Sequence, residues 1–282
     1  MSLAVLYCEG VDKSPDIRVI RKILTGVNCM IKAAASKYGL AQKVHFLNRE
    51  GAVGGVAKAL RDRDFDSMPS PLLQKPHDWP FRPQNNQTVQ VGWTWERKEI
   101  ENYLIDPRVV AKTLGKKAPR PEAYDKALYR SACRIANYTA ARFALSQHRI
   151  RPKPQTNFWG EKRHGFHLPD ALDEAACSQG ILDVISRHQQ GLSVDPDQVV
   201  ATFHKVLPDF REGGAYFQEF LTYFSGKDLL ASLDDEKEVI GFQNDTFRNI
   251  ILDRLTDAPE DISIWLPEWE ALVALVQQEQ AK

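Results

Sequence analysis

The sequence lacks the features that mark several common classes of protein. It has four cysteines (Cys8, Cys29, Cys133 and Cys177), none in a Cys-x-x-Cys pair, which argues against a zinc ribbon or a dithiol redox site. It has no apolar run long enough to cross a bilayer. Together with the lack of a recognisable signal peptide, scattered cysteines predict a reducing, cytoplasmic location away from membranes.

The chain also lacks an excess of either charge. Its 282 residues include 37 Lys and Arg and 37 Asp and Glu, so a nucleic-acid enzyme built on this sequence would need local basic patches. It contains no apparent Ser-His-Asp arrangement for nucleophilic catalysis. It also contains no Walker A motif, so an ATPase activity linked to this protein would have to come from a separate chain. The length suits one large or two smaller domains.

The first 106 residues predict an α/β unit. Residues 3–8 form a short apolar run before Glu9-Gly10, which is typical of a buried parallel strand. The patterns that follow predict, in order, a helix from Ser14-Pro15, a helix over 27–38, a strand over 44–47, a strand over 56–61, an irregular proline-rich excursion over about 66–90 and a strand over 89–95.

Residues 107–282 predict a mainly helical region. An apolar stripe from Pro121 to His148 is the clearest helix, and further helices are expected at about 170–190, 195–206, 214–223, 226–233, 244–255 and 260–278. Residues 150–168 are basic and aromatic without periodicity, so we expect a loop there.

Acidic residues stand directly after the predicted strands. In α/β sheets, binding and catalytic sites form beyond the carboxyl ends of the strands, which is where these residues would lie. They are Glu9 after the first strand, Asp62 and Asp64 after the strand over 56–61, and Glu99 and Glu101 after the next. Carboxylates gathered in one place repel one another unless a cation neutralises them, and their hard oxygens suit Mg²⁺ or Mn²⁺. Each group alone also fits a simpler structural reading, as a turn, a solvated loop or a salt-bridged helix start.

The order of these residues resembles the TOPRIM fold of topoisomerases, primases and OLD-family nucleases. The resemblance is carried by residues 6–12 with Glu9-Gly10, by Asp62-Arg63-Asp64, by EIENYL at 99–104 and by GKDLL at 226–230. The last two segments are similar to those of small OLD-like effector nucleases, such as the effectors of the PARIS anti-phage defence system, which work beside ABC-type ATPases. One departure is that ten residues separate Gly51 from Asp62, so we expect the second helix of the unit to be missing or reduced to a turn.

The resemblance implies a metal-dependent phosphodiester hydrolase with a possible two-metal site for Mg²⁺ or Mn²⁺. It implies that Glu9 is a ligand or general acid/base and that Asp62 and Asp64 hold metal. Glu99 and Glu101 would complete a second ion site.

Two further residues receive roles from the same resemblance. Asp12 would assist in holding metal, although the family's acidic partner often lies one position further along, at Lys13. Lys227 would stabilise charge on the scissile phosphate, and its alternative is a plain lysine at a helix start.

Basic side chains in the predicted loop would contact substrate phosphates: Arg151, Lys153, Lys162 and Arg163. The predicted function is an endonuclease on DNA or RNA, including tRNA, that acts as an effector controlled by an ATPase encoded nearby and assembles as a homodimer. The alternatives are a non-catalytic binding module on a TOPRIM scaffold and, with less support, a primase or topoisomerase-like enzyme.

Overall fold

The structure is a computed structural model that describes residues 2–34, 39–51, 53–83, 87–148, 159–163, 166–188, 194–241 and 244–282. The strands are β1 (Leu3–Glu9), β2 (Met30–Ala34), β3 (Val56–Arg61), β4 (His77–Phe81), β5 (Val89–Thr94), β6 (Glu161–Arg163) and β7 (Phe166–Leu168). The helices are α1 (Pro15–Ile23), α2 (Leu40–Glu50), α3 (Glu101–Leu104), α4 (Pro107–Leu114), α5 (Pro121–Gln147), α6 (Glu174–His188), α7 (Pro196–Phe210), α8 (Ala215–Gln218), α9 (Phe220–Tyr223), α10 (Gly226–Ser232), α11 (Lys237–Ile240), α12 (Asn244–Asp257) and α13 (Pro267–Gln280).

The predicted α/β class is confirmed by a five-stranded sheet in the order β2-β1-β3-β5-β4. The strands β2, β1, β3 and β5 run parallel, and β4 runs antiparallel to β5 at one edge. The register pairs Cys8 with Leu60 and Arg61 with Thr94, so the carboxyl ends of β1, β3 and β5 lie side by side. This edge of the sheet is where the predicted acidic residues begin.

The prediction for residues 27–47 was wrong. A strand, β2, replaces the helix expected over 27–38, and the helix α2 replaces the strand expected over 44–47. Leu40, Ala41 and Val44 recur at helical spacing and pack against one face of the sheet, which explains why this short apolar run is helical. The expectation of a missing second helix was therefore wrong as well, because α2 precedes β3 and completes a βαβαβ order.

Three shorter strands were also missed. The excursion over 66–90 contains β4, which tolerates Pro80 because it is an edge strand whose pairing with β5 shifts between Trp79 and Pro80. The segment expected to be a loop over 150–168 includes an antiparallel pair, β6 and β7, within its described residues.

Apolar side chains cover both faces of the sheet. Val5, Tyr7 and Ala59 pack with α2 on one face. The other face, which includes Leu6 and Leu60, belongs to a large core shared with α1, α5 and the later helices, so one core continues across the predicted boundary at residue 106. None of the described helices is both long enough and apolar enough to cross a membrane.

Candidate active site

The Glu9-Gly10 turn brings the start of α1 back to the end of β1. Gly10 has φ +110°, and a Cβ at this position would lie 2.3 Å from Ser14 Oγ and 3.7 Å from Asp16 Oδ2. Only a glycine permits so close an approach in this backbone conformation. The turn therefore places the first residues of α1 beside the end of β1.

The acidic cluster consists of Glu9, Asp16, Asp62, Asp64, Glu99 and Glu101. Asp16 is the one member that was not predicted from the sequence. Burial, together with the negative charges of Glu101 and Glu9 and against the opposing effect of Lys227, raises the pKa of Asp16 to about 7. A carboxylate in the first helical turn after a strand-end Glu-Gly is the signal that could have identified it. Asp12, by contrast, has a side chain that is 78% exposed and pairs with Arg21 at 3.3 Å, so the structure places this predicted ligand outside the cluster.

Asp62 follows β3 directly and joins the same cluster. Burial raises its pKa well above the usual range, and the negative charges of Asp16, Glu9 and Asp64 raise it further against the opposing effect of Lys227. These interactions link residues from the ends of β1 and β3 and from the start of α1. The predicted grouping of Glu9, Asp62 and Asp64 at one edge of the sheet is thus present.

Glu99 and Glu101 follow β5 and are almost fully buried. The Nζ atom of Lys227 lies 3.1 Å from Glu101 Oε2 and also forms an ion pair with Glu99 Oε2. The backbone N–H of Lys227 donates to Glu99 Oε1 at 2.8 Å, and the Ser225 hydroxyl donates to the same oxygen at 2.7 Å. The helix start that carries Lys227 is therefore held directly on the acidic segment.

The pKa values of this pair reflect their contact. Burial acts to raise the pKa of Glu99, but the charge of Lys227 and its hydrogen bonds outweigh burial and lower it. Burial acts to lower the pKa of Lys227, but Glu101, Glu99 and Asp62 outweigh it and raise this pKa well above the usual range. Lys227 is accordingly a positive charge held among carboxylates at neutral pH.

The donor set fits a hard divalent cation by its chemistry. It consists of carboxylates alone, and repulsion among them contributes to the raised pKa values of Asp16 and Asp62. Within the described ranges no three acidic, histidine or cysteine side chains converge as a complete ligand set, and the Lys227 ammonium pairs with two of the carboxylates. The residues that would hold Mg²⁺ or Mn²⁺ are Glu9, Asp16, Asp62, Asp64, Glu99 and Glu101.

The predicted substrate-contacting residues are only partly described. Arg151 and Lys153 lie outside the described residues. Lys162 and Arg163 lie on β6, and its partner strand β7 contacts α10, the helix that begins at Gly226. The backbone of this β-hairpin thus packs on the same helix that brings Lys227 to the acidic cluster.

Comparison with known proteins gave no match for this chain, either to a protein-family model or to a curated protein.

Proposed function

We propose that the chain is a divalent-metal-dependent endonuclease of the TOPRIM type that cleaves phosphodiester bonds in DNA or RNA. The observation that carries this proposal is that carboxylates from three neighbouring strand ends and from α1 interact electrostatically with one another and with Lys227, which pairs with Glu99 and Glu101. The order β1-α1-β2-α2-β3, with Glu9 after β1 and Asp62 and Asp64 after β3, supports the TOPRIM assignment.

The residues have distinct roles in this proposal. Five carboxylates would hold Mg²⁺ or Mn²⁺, which when bound polarises a phosphate oxygen and activates water: Asp16, Asp62, Asp64, Glu99 and Glu101. Glu9 would bind metal or accept the proton of the attacking water. Lys227 offsets the charge of the carboxylates and would stabilise negative charge on the scissile phosphate.

The proposed biological setting rests on family resemblance. In that setting the chain is a cytoplasmic, homodimeric effector of anti-phage defence, and an ABC-type ATPase encoded nearby restrains it until infection. The neighbouring gene is the direct check, because an ABC-type ATPase there supports this setting and an unrelated gene counts against it.

The proposed activity is tested by cleavage of DNA and RNA, including tRNA, with Mg²⁺, Mn²⁺ or EDTA. Cleavage should require metal and should fall to background in the Asp62→Asn, Asp64→Asn double variant. Glu9→Gln should lower the rate at least about a hundredfold, as expected for loss of a general base. Asp12→Asn is the matched control, because Asp12 is a nearby carboxylate outside the cluster, and its activity should be unchanged.

Two results separate the proposal from its main alternative. Undiminished cleavage by the double variant would overturn the assignment of the active site. Metal-independent binding of nucleic acid without cleavage, equal in all variants, would instead favour a non-catalytic module built on the same scaffold.

A further inference from the structure

The turn Asp62–Asp64 has a backbone that its surroundings must hold in place. Asp64 has φ +51°, in the left-handed region that residues other than glycine rarely adopt. Such a conformation persists where neighbouring contacts determine it. The turn is therefore a place to look for residues that position the two aspartates without touching metal themselves.

Lys98 contacts the backbone of this turn at Arg63 and at Asp64. The carbonyl of Lys98 accepts the N–H groups of Arg63 and Asp64 at 3.0 and 3.2 Å. Its Nζ atom donates to the carbonyl of Asp64 at 2.6 Å and lies 3.0 Å from the centre of the Phe65 ring. Since Lys98 is 1% exposed, these contacts are shielded from water and define the path of the turn.

Arg63, which stands between the two aspartates, anchors the turn through its own side chain. It is 1% exposed, and its guanidinium donates to the carbonyls of Glu96 at 2.8 Å and Thr222 at 2.6 Å. It also donates to the carbonyl of Ser67. The buried guanidinium therefore connects the turn to the segment after β5 and to α9.

We propose that Arg63 and Lys98 are positioning residues that hold Asp62 and Asp64 in the geometry needed to bind a divalent cation. This inference rests on the proposed function, which supplies the metal. The side chain of Arg63 enters the core, whereas the carboxylate of Asp62 interacts with Asp16 and Glu9, so one short turn serves both as an anchor and as a source of ligands. Loss of either anchor should loosen the ligands before it unfolds the protein.

The test compares Lys98→Met with Lys58→Met. Lys58 is a matched control, because it is a buried lysine on β3 whose Nζ donates to the carbonyl of Gln90 at 3.1 Å. The dissociation constant for Mn²⁺ is measured by calorimetry on the full chain without substrate, and thermal unfolding is measured in EDTA. Both variants should unfold at lower temperature than the unaltered chain.

Only Lys98→Met should also weaken Mn²⁺ binding, by about tenfold or more, which is typical when a residue that orients metal ligands is lost. Equal Mn²⁺ binding by the two variants would overturn the positioning role. If Lys98→Met does not fold, as judged by circular dichroism, Lys98→Gln and Lys58→Gln replace the pair under the same criterion. A lack of saturable Mn²⁺ binding by the unaltered chain would overturn the proposed metal site together with this inference.

Discussion

Replacement of Lys227 by methionine tests whether this lysine and a divalent cation neutralise the same carboxylates. Lys227 pairs with Glu99 and Glu101, whose side chains are 8% and 4% exposed, whereas the lysine side chain itself is 42% exposed. Methionine retains much of the aliphatic chain and removes the charge. The variant therefore leaves two buried carboxylates without the cation that pairs with them in the structure.

The expected loss of stability lies between two limits. A fully exposed ion pair contributes about 0–1 kcal/mol. Removal of one partner from a fully buried pair costs about 3–5 kcal/mol, because the remaining charge is left desolvated. Since the carboxylates are buried but the lysine is partly solvated, we expect Lys227→Met to lower the free energy of unfolding in EDTA by about 2 kcal/mol.

A divalent cation should reverse much of this loss. Binding at about 100 times the dissociation constant stabilises a folded protein by about 2.7 kcal/mol. In Lys227→Met the metal no longer competes with an ammonium, so Mn²⁺ should stabilise this variant more than it stabilises the unaltered chain.

The assay is urea unfolding followed by circular dichroism, in EDTA and in saturating Mn²⁺, with Lys227→Arg as a control that retains the charge. Equal destabilisation of Lys227→Met under both conditions would refute the reasoning, because it would show that the metal does not replace the missing positive charge.

Two further predictions concern Glu268, which lies on α13, and Gly226, which begins α10. Burial raises the pKa of Glu268 to about 7, from 4.5, so the folded chain retains a proton that the unfolded chain releases, and stability falls as pH rises through this window. Glu268→Gln should remove up to about 3 kcal/mol of this fall in the free energy of unfolding, at roughly 1.4 kcal/mol per pH unit. Urea unfolding at pH 4.5 and at pH 8 measures the effect. If the free energy of unfolding of the variant depends on pH as it does in the unaltered chain, the argument from burial is contradicted. A Cβ on Gly226 would lie 2.4 Å from the backbone N of Asn102, so Gly226→Ala should cost about 2 kcal/mol and shift α10 away from Glu99. Thermal unfolding and Mn²⁺ binding measure both effects, and a variant with unaltered values would contradict the close packing of α10 on Asn102.

The sequence was sufficient to predict the elements whose apolar pattern is strong. β1, β3, β5 and the long helix α5 have buried stripes or runs that reveal their type, and they lie where they were predicted. β2 was missed because it is an edge strand with partly exposed side chains, Met30 being 56% exposed, and so it lacks an apolar run. A strand that is buried on both faces gives a continuous apolar run, whereas an edge strand with exposed side chains gives no such signal.

The candidate site could be predicted as far as chain order determines it. Glu9, Asp62 and Asp64 follow parallel strands, and parallel strands bring such residues to one edge. The prediction that Lys227 belongs to the site depended on the GKDLL resemblance, because nothing in the local sequence indicates that α10 packs beside Glu99. Asp16 was missed because its place depends on the sharp Glu9-Gly10 turn, which returns the start of α1 to the end of β1. Lys98 was missed because its role arises from a contact with the backbone of Asp64, which lies 34 residues earlier in the chain.

The contact of α10 with the segment after β5 also has a consequence for protein synthesis. Glu9, Asp62 and Glu99 are made early, but Glu99 receives its hydrogen bonds from Ser225 and Lys227, more than 120 residues further along the chain. A ribosome must therefore reach residue 227 before Glu99 and Glu101 gain the positive charge that pairs with them. The order of translation thus delays assembly of the complete site until most of the chain that surrounds it has been made.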